Sequence, residues 1–477
     1  MTGYSIIGLA LFVFVQARNV YPQLLLARLL FSIGGSAAST MVTAVLPTMS
    51  FVDMNDPDPR PDTSPRGITR HMQTSSLASE LTITPARFQA RTTGDTSSHA
   101  SMIDAQRGNT SKIAGFVGMA TGCGALVALS IFLPLPARFQ KAGVNPGPAV
   151  QYSYYVVGTI ALATASVCTI GLRNLKSERH KGFGYLASGT TEAHRTSMSE
   201  KVTTSAGLLY RAFIEGFRRR EIMIGYIGGF VARASSVGIS LFIPLLVNAA
   251  FLSSGLCGSA SALDNPVGLP DIKRRCPRAY VVAAELTGVS QFVALICAPL
   301  FGYWSSRVHR KTLPLLFSAV TGIIGYPLLA MKFDPHDDNK TARGWAFLAV
   351  CLIGISQIGA IVCSLGILSS GILQQSDRHT VAAFNGADRS ESRDEDAPLL
   401  EQNTDSRDTK NTSLAELKGS VAGVYSFYGG AAILILTKAG GALFDSTSKA
   451  APFYLMASFN VVLLATCLVV GVAMRPS

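Results

Sequence analysis

Gly344-Trp-Ala-Phe-Leu-Ala-Val-Cys-Leu-Ile-Gly-Ile-Ser-Gln-Ile-Gly-Ala-Ile-Val-Cys-Ser-Leu-Gly-Ile-Leu-Ser-Ser-Gly-Ile-Leu-Gln374 contains no Asp, Glu, Lys or Arg. A hydrocarbon core of about 30 Å needs roughly 20 mostly apolar residues in helical form, so this stretch is long enough to cross a bilayer. Working outward from it, similar stretches lie near 3–16, 22–48, 113–135, 150–172, 222–252, 279–304, 312–332, 418–443 and 450–473. The chain is expected to be an all-α integral membrane protein with about ten transmembrane helices, held in a lipid bilayer.

Composition agrees with that expectation. Mean hydropathy is +0.33, 48% of residues are hydrophobic and 15% are charged, which is apolar for a chain of 477 residues. The net charge of +12 would suit nucleic acid, but its placement argues for a membrane instead. The loops at 49–112, 173–221, 305–311 and 375–418 hold about 26 of the 41 lysines and arginines, the asymmetry that marks cytoplasmic loops. Both termini then face the cytoplasm, and no nucleic-acid partner is expected. One outer loop, Lys273-Arg274-Arg275-Cys276-Pro277-Arg278, runs against the trend.

Six of the eight cysteines lie inside spans, where small apolar packing is their expected role. Cys257 and Cys276 share an outer loop, on the oxidising side, and form a candidate disulfide. It would close a loop of about 20 residues and add about 3 kcal/mol. No CxxC or His/Cys cluster suggests a metal. Asn339-Lys340-Thr341 is a glycosylation sequon in an outer loop; Asn109 and Asn411 head similar sequons on the cytoplasmic side, so sequons do not fix the orientation.

Three polar stretches interrupt the spans. Residues 50–111 carry Asp-Pro-Asp-Pro-Arg-Pro and many Ser and Thr, too little apolar surface to fold, and 376–416 is polar in the same way. Within the latter, Glu395-Asp396-Ala397-Pro398-Leu399-Leu400 matches an acidic dileucine pattern, which a sorting adaptor would read; two stray leucines in a loop are the alternative. The signal would direct the chain to a vacuolar, lysosomal or endosomal membrane; the plasma membrane is the other candidate. The stretch 173–221 separates four spans from six. Its end places Leu209, Phe213 and Phe217 on one helical face beside Arg218-Arg219-Arg220. Such an amphipathic helix suits either the anionic inner leaflet or a seat against neighbouring helix ends.

Pro22-Gln-Leu-Leu-Leu-Ala-Arg28-Leu-Leu-Phe-Ser32-Ile-Gly34-Gly35-Ser36 resembles the helix-4 signature of the major facilitator superfamily, an Arg followed by a small-residue patch. Gly302-Tyr-Trp-Ser-Ser306-Arg307-Val-His309-Arg310-Lys311 is similar to that family's loop signature Gly-x-x-x-Asp-Arg-x-Gly-Arg-Lys, with Ser306 in place of the Asp and His309 in place of the Gly. A Gly-rich run, Gly115-Phe-Val-Gly118-Met-Ala-Thr-Gly122-Cys-Gly124, falls where family antiporters carry a helix-5 motif but lacks its Pro. Small residues at that spacing let helices approach closely. The resemblance covers nearly the whole chain. It implies a monomeric two-bundle transporter: a partial N-terminal bundle at 1–172, a cytoplasmic linker at 173–221 and a six-helix C-terminal bundle at 222–477. It also places Met1 near the start of helix 3, so that a full family member would carry two further helices upstream.

Ionisable residues inside a span are costly, by about 2.5–3.5 kcal/mol at the centre on insertion scales, and so mark cavities or partners. Arg233 lies about 18 Å past the basic end at Arg220, and Glu285 enters the next span about 10 Å from the outer side. An Arg233–Glu285 pair or shared pocket is expected, with Glu285 as the proton carrier; a structural ion pair is the alternative. Arg28 is family-like, and the resemblance implies a role in proton coupling or in holding its helix; snorkelling to the outer interface is the alternative. Gln291, Gln357, Tyr326, Tyr425 and Tyr428 are polar residues that would line a route or bond between helices. No phosphate-cradling Gly-rich loop supports ATP-driven transport, and no covalent catalysis is expected. The expected function is secondary transport of a small organic solute, driven by a proton gradient without a bound cofactor. A transporter-like sensor or scaffold, or a transport-inactive truncated family member, is the alternative.

Overall fold

The structure is a computed structural model, and it describes residues 2–17, 19–49, 110–132, 134–171, 198–256, 277–308, 312–335, 340–390 and 405–473. Among these residues there are helices and no strand, and nine helices are long and apolar enough to cross a membrane. With no water in the bilayer to satisfy backbone N–H and C=O groups, a single spanning segment must satisfy them within itself, which is why these apolar runs are helical. The chain is an all-α, multi-pass membrane protein.

In chain order the helices are α1 (Thr2–Gln16), α2 (Leu25–Met49), α3 (Thr110–Phe132), α4 (Leu135–Lys141), α5 (Pro146–Gly171) and α6 (Met198–Arg218). Then follow α7 (Arg220–Ser253), α8 (Pro277–Arg307), α9 (Thr312–Lys332) and α10 (Lys340–Ser390). Last come α11 (Asp405–Ile435), which continues to Ser446, and α12 (Ala451–Ala473). The tenth expected span is α1. Its 15 residues reach about 22 Å at 1.5 Å per residue, short of a full crossing.

The helices fall into two groups along the chain, α1 to α5 before the α6 segment and α7 to α12 after it. In the first, α1 lies against both α2 and α5. Gly3 meets the backbone of Gly34 and Ala38 on α2, and Gly8 meets Gly158 and Leu162 on α5. Phe14 stacks on Tyr154 of α5 with 5.8 Å between ring centroids. The second group, α7 to α12, is built around α10, which packs against α7, α8 and α9.

Two hydrophobic cores divide the molecule by depth. The core at the basic-loop end, the cytoplasmic end by charge asymmetry, includes Ile222, Phe301, Leu315, Leu368, Val421 and Leu463 of the second group. It also takes in Leu46 of α2 and Ala114 of α3, with Ile113, Val117 and Met119 packed on it. The core at the opposite, outer end runs through Phe242, Leu286, Tyr326, Ile353, Leu436 and Phe453, and every member belongs to α7–α12. So the two groups share a core at the inner end alone.

One polar stretch departs from its sequence expectation, and another settles between two. The polar region 376–416 was expected as a loop, yet α10 continues to Ser390 and α11 begins at Asp405. A helix already nucleated inside the membrane extends at one hydrogen bond per residue without a new nucleus. Of the two seats open to the amphipathic segment, α6 takes the packed one. The Ala212 carbonyl accepts a hydrogen bond from the Tyr226 hydroxyl at 3.3 Å, Gly216 lies against the Tyr226 ring, and Phe213 stacks on Tyr428 at 6.0 Å.

Candidate functional site

Where the inner and outer cores meet, a polar layer crosses the second group. The Gln291 side chain on α8 donates to Gln357 on α10 at 3.4 Å. Gln357 in turn donates to the Ser236 hydroxyl on α7 at 3.1 Å, and Ser236 donates to the Ala232 carbonyl of its own helix at 3.0 Å. Three helices are thus joined at mid-depth by side-chain hydrogen bonds, each worth about 0.6–2 kcal/mol in a membrane protein. Gln357 is buried, whereas Gln291 is half-buried. One turn further along α8 from Gln291, Leu295 meets Gly122 of α3, so the layer reaches the side of α8 that faces the first group.

Arg233 stands beside this layer, one helical turn before Ser236. Its guanidinium-bearing chain is exposed, lying over Gly429 of α11 and within electrostatic reach of Tyr425. A second polar cluster lies deeper in the same group. Ser356 on α10 donates to Asn460 on α12 at 3.2 Å, and Asn460 donates to the Met456 carbonyl at 2.9 Å. Gly322 of α9 sits directly on that pair, where a Cβ would meet the Asn460 side chain.

The contact between the two groups is lined with small residues. Gly115 of α3 and Gly302 of α8 bring their backbones together, and a Cβ on Gly302 would come within 2.7 Å of the Gly115 Cα. One turn towards the cytoplasm, the Ser305 and Ser111 hydroxyls are 3.5 Å apart. Gly118 faces Ile358 and Val362 of α10, and Gly122 faces Leu295. Thr40 of α2 donates to Ser426 of α11 at 3.0 Å. Further along α3, beside Gly124, there is open space, and among the described residues no member of the outer core comes from α1–α5.

The structure redistributes the residues singled out from sequence. Arg233 and Glu285 do not pair. Glu285 instead forms an ion pair with Arg343 at the outer end, 3.7 Å apart, with both side chains about half exposed. Axial depth along the helices put Arg233 and Glu285 within reach, but depth says nothing of rotation. Arg233 faces α11, and Glu285 faces the start of α10. Arg28 is exposed on α2, and among the described residues no hydrogen bond or ion pair joins it to Arg233 or Glu285. The Gly34-Gly35 patch divides: Gly34 packs on Gly3 and Ile7, while Gly35 borders open space. Gly302 is the crossing point described above. Arg307 lies over the Tyr303 ring at 5.1 Å, and Ser306 donates to the Tyr303 carbonyl within its own helix at 2.7 Å.

Arg310, Lys311, Cys257, Cys276, Asn339, Glu395, Leu399 and Leu400 lie outside the described residues. Sequence reasoning passed over Ser236 and did not couple Arg343 to Glu285. Of Gln291, Gln357, Tyr326, Tyr425 and Tyr428, the two glutamines are the ones that meet, and Tyr425 approaches Ser364 at 3.4 Å.

No family model matches the chain, and no curated protein does. Its class is therefore carried by the fold: a polytopic α-helical membrane protein whose two helix groups meet at one end across small residues, above a polar layer at mid-depth.

Proposed function

We propose that this chain is a secondary active transporter of a small organic solute, working by alternating access, and that it is a distant member of the major facilitator superfamily. The observation that carries the proposal is the asymmetry of the cores. The inner core joins both helix groups and the outer core belongs to one. Two bundles joined at one end, with polar groups in mid-membrane, fit the arrangement that rocking transporters use. At the closest crossings the surface is built of glycines and serines, Gly115 against Gly302 and Ser111 beside Ser305, and small residues let helix backbones approach closely.

In this scheme Arg233 meets an anionic group of the solute at mid-depth, beside Ser236, Gln357 and Gln291. Binding drives the cycle only through unequal affinity for the outward- and inward-open states. A proton gradient supplies the energy, with Glu285 as the candidate proton carrier acting from its place beside Arg343. The membrane is vacuolar or endosomal if the Glu395–Leu400 segment is read by a sorting adaptor, and the plasma membrane otherwise.

The test is flux. The full chain is reconstituted in liposomes loaded with a pH-sensitive dye, and an imposed pH gradient is combined with a panel of small carboxylates. Solute-dependent proton movement is expected, reduced at least about tenfold by Arg233→Gln, the scale of one lost charge-assisted contact. A folded, inserted protein that moves neither solute nor protons would overturn the proposal.

A further inference from the structure

A cavity lies apart from the mid-depth layer, at the outer end of the second helix group. Its volume is about 430 Å³, within the range of small-molecule sites. The ends of α7 and α9 and the starts of α8 and α10 enclose it. Phe251, Val282, Phe333 and Phe347 supply apolar wall, and Arg278, Glu285, Asp334 and Arg343 supply charge. Glu285 sits six residues before Gln291 on α8, about 9 Å along the helix, so the cavity and the polar layer are separate places.

The charges are not equivalent. Arg343 is held by Glu285 at 3.7 Å and lies over the Phe347 ring at 5.8 Å. Asp334 is likewise engaged. Arg278 lines the cavity, and among the described residues no carboxylate or hydrogen-bond acceptor holds it. Arg278 is therefore the charge among these four left open to a ligand, and it stands at the edge of an aromatic and aliphatic wall. A guanidinium binds a carboxylate through two parallel N–H···O bonds, while the wall rewards an apolar body. A primary amine would find both acids already occupied.

We propose that this outer cavity is a binding site for a small monocarboxylate with an apolar or aromatic body. The carboxylate rests on Arg278, and the body lies against Phe251, Phe333 and Phe347. The Glu285–Arg343 pair forms the opposite wall and keeps those two charges from competing for the ligand. Such a ligand bridges four helix ends of the second group and reaches them from the outer side.

The experiment is thermal unfolding of the purified full chain in detergent with three probes of one shape: 3-phenylpropanoate, its amide and 3-phenylpropylamine. Saturable stabilisation is expected with the carboxylate alone, since a ligand that binds the native state raises its melting temperature. Arg278→Gln should weaken that binding at least about tenfold, with Arg278→Lys intermediate. Arg233→Gln should leave it unchanged, which separates this site from the mid-depth one. Three results would each overturn the proposal: stabilisation by the amine, equal stabilisation of folded Arg278→Gln, or no saturable effect on the wild-type chain. If Arg278→Gln does not fold, the contrast between the carboxylate and its amide on the wild-type chain decides the matter.

Discussion

The second helix group buries 67% of the α10 span and 50% of the α9 span, whereas the α2, α3 and α5 spans bury 17%, 18% and 11%. The spans of the first group have mean hydropathies of 1.5 to 1.8 and those of the second 1.5 to 2.3, overlapping ranges that do not by themselves separate the groups. What separates them is how their helices meet. The second group surrounds a central helix and ties it to its neighbours with Gln357, Ser356 and Asn460. The first group touches its neighbours mainly through glycines and a shared inner core. In lipid, apolar surface gains nothing by turning inward, and association depends on close packing and interhelical hydrogen bonds. The second group has both throughout its depth. The first shares a core with it at one end.

The strongest challenge to this contrast is a side chain added at α10. A Cβ on Gly354 would run into the Ser290 carbonyl of α8, a backbone group that cannot swing aside. Gly354→Val is expected to destabilise the folded protein by about 1–3 kcal/mol or more, as overpacking does, and to lower its melting temperature in detergent. Next comes Asn460→Ala, which leaves the buried Ser356 hydroxyl without its partner. A loss of about 1–3 kcal/mol is expected, read in the same melt. Glu285→Gln, at a half-exposed ion pair, should change stability by about 0–1 kcal/mol. Smallest of all, Gly124→Val and Gly35→Val add side chains into open space and should stay within about 0.5 kcal/mol of the parent. A large effect at Gly124, or none at Gly354, would break the contrast between the groups.

The sequence made some of this legible and hid the rest. Apolar length located the nine helices long enough to cross, because a bilayer imposes one number on all of them, and it also marked α1, which falls short. The run Gly115 to Gly124 announced a close helix approach, and three of its four glycines face a neighbouring helix. Which helix was not legible, since Gly302 lies far along the chain and spacing carries no partner. The Arg233–Glu285 expectation failed for a related reason. Rise per residue gives depth, but the facing of a side chain turns by 100° at each residue and is set by packing. Glu285 therefore met Arg343, a residue of the helix two further on. The polar layer was visible only as separate residues. Gln291 and Gln357 drew notice as polar groups within spans, while Ser236 looked like any small residue until three helices brought it to Gln357.

The most direct test of the two-group account is a cross-link between α3 and α8 at their cytoplasmic ends. Ser111 and Ser305 place their hydroxyls 3.5 Å apart, close enough for a pair of introduced cysteines to join. Ser111→Cys with Ser305→Cys should form a disulfide under mild oxidation, holding the chain together after a protease cut between the two positions. Neither single variant should do so. The same cross-link should stop solute flux and recover it on reduction. A double variant whose two thiols are both reactive, yet never join, would contradict the inner closure on which the account rests.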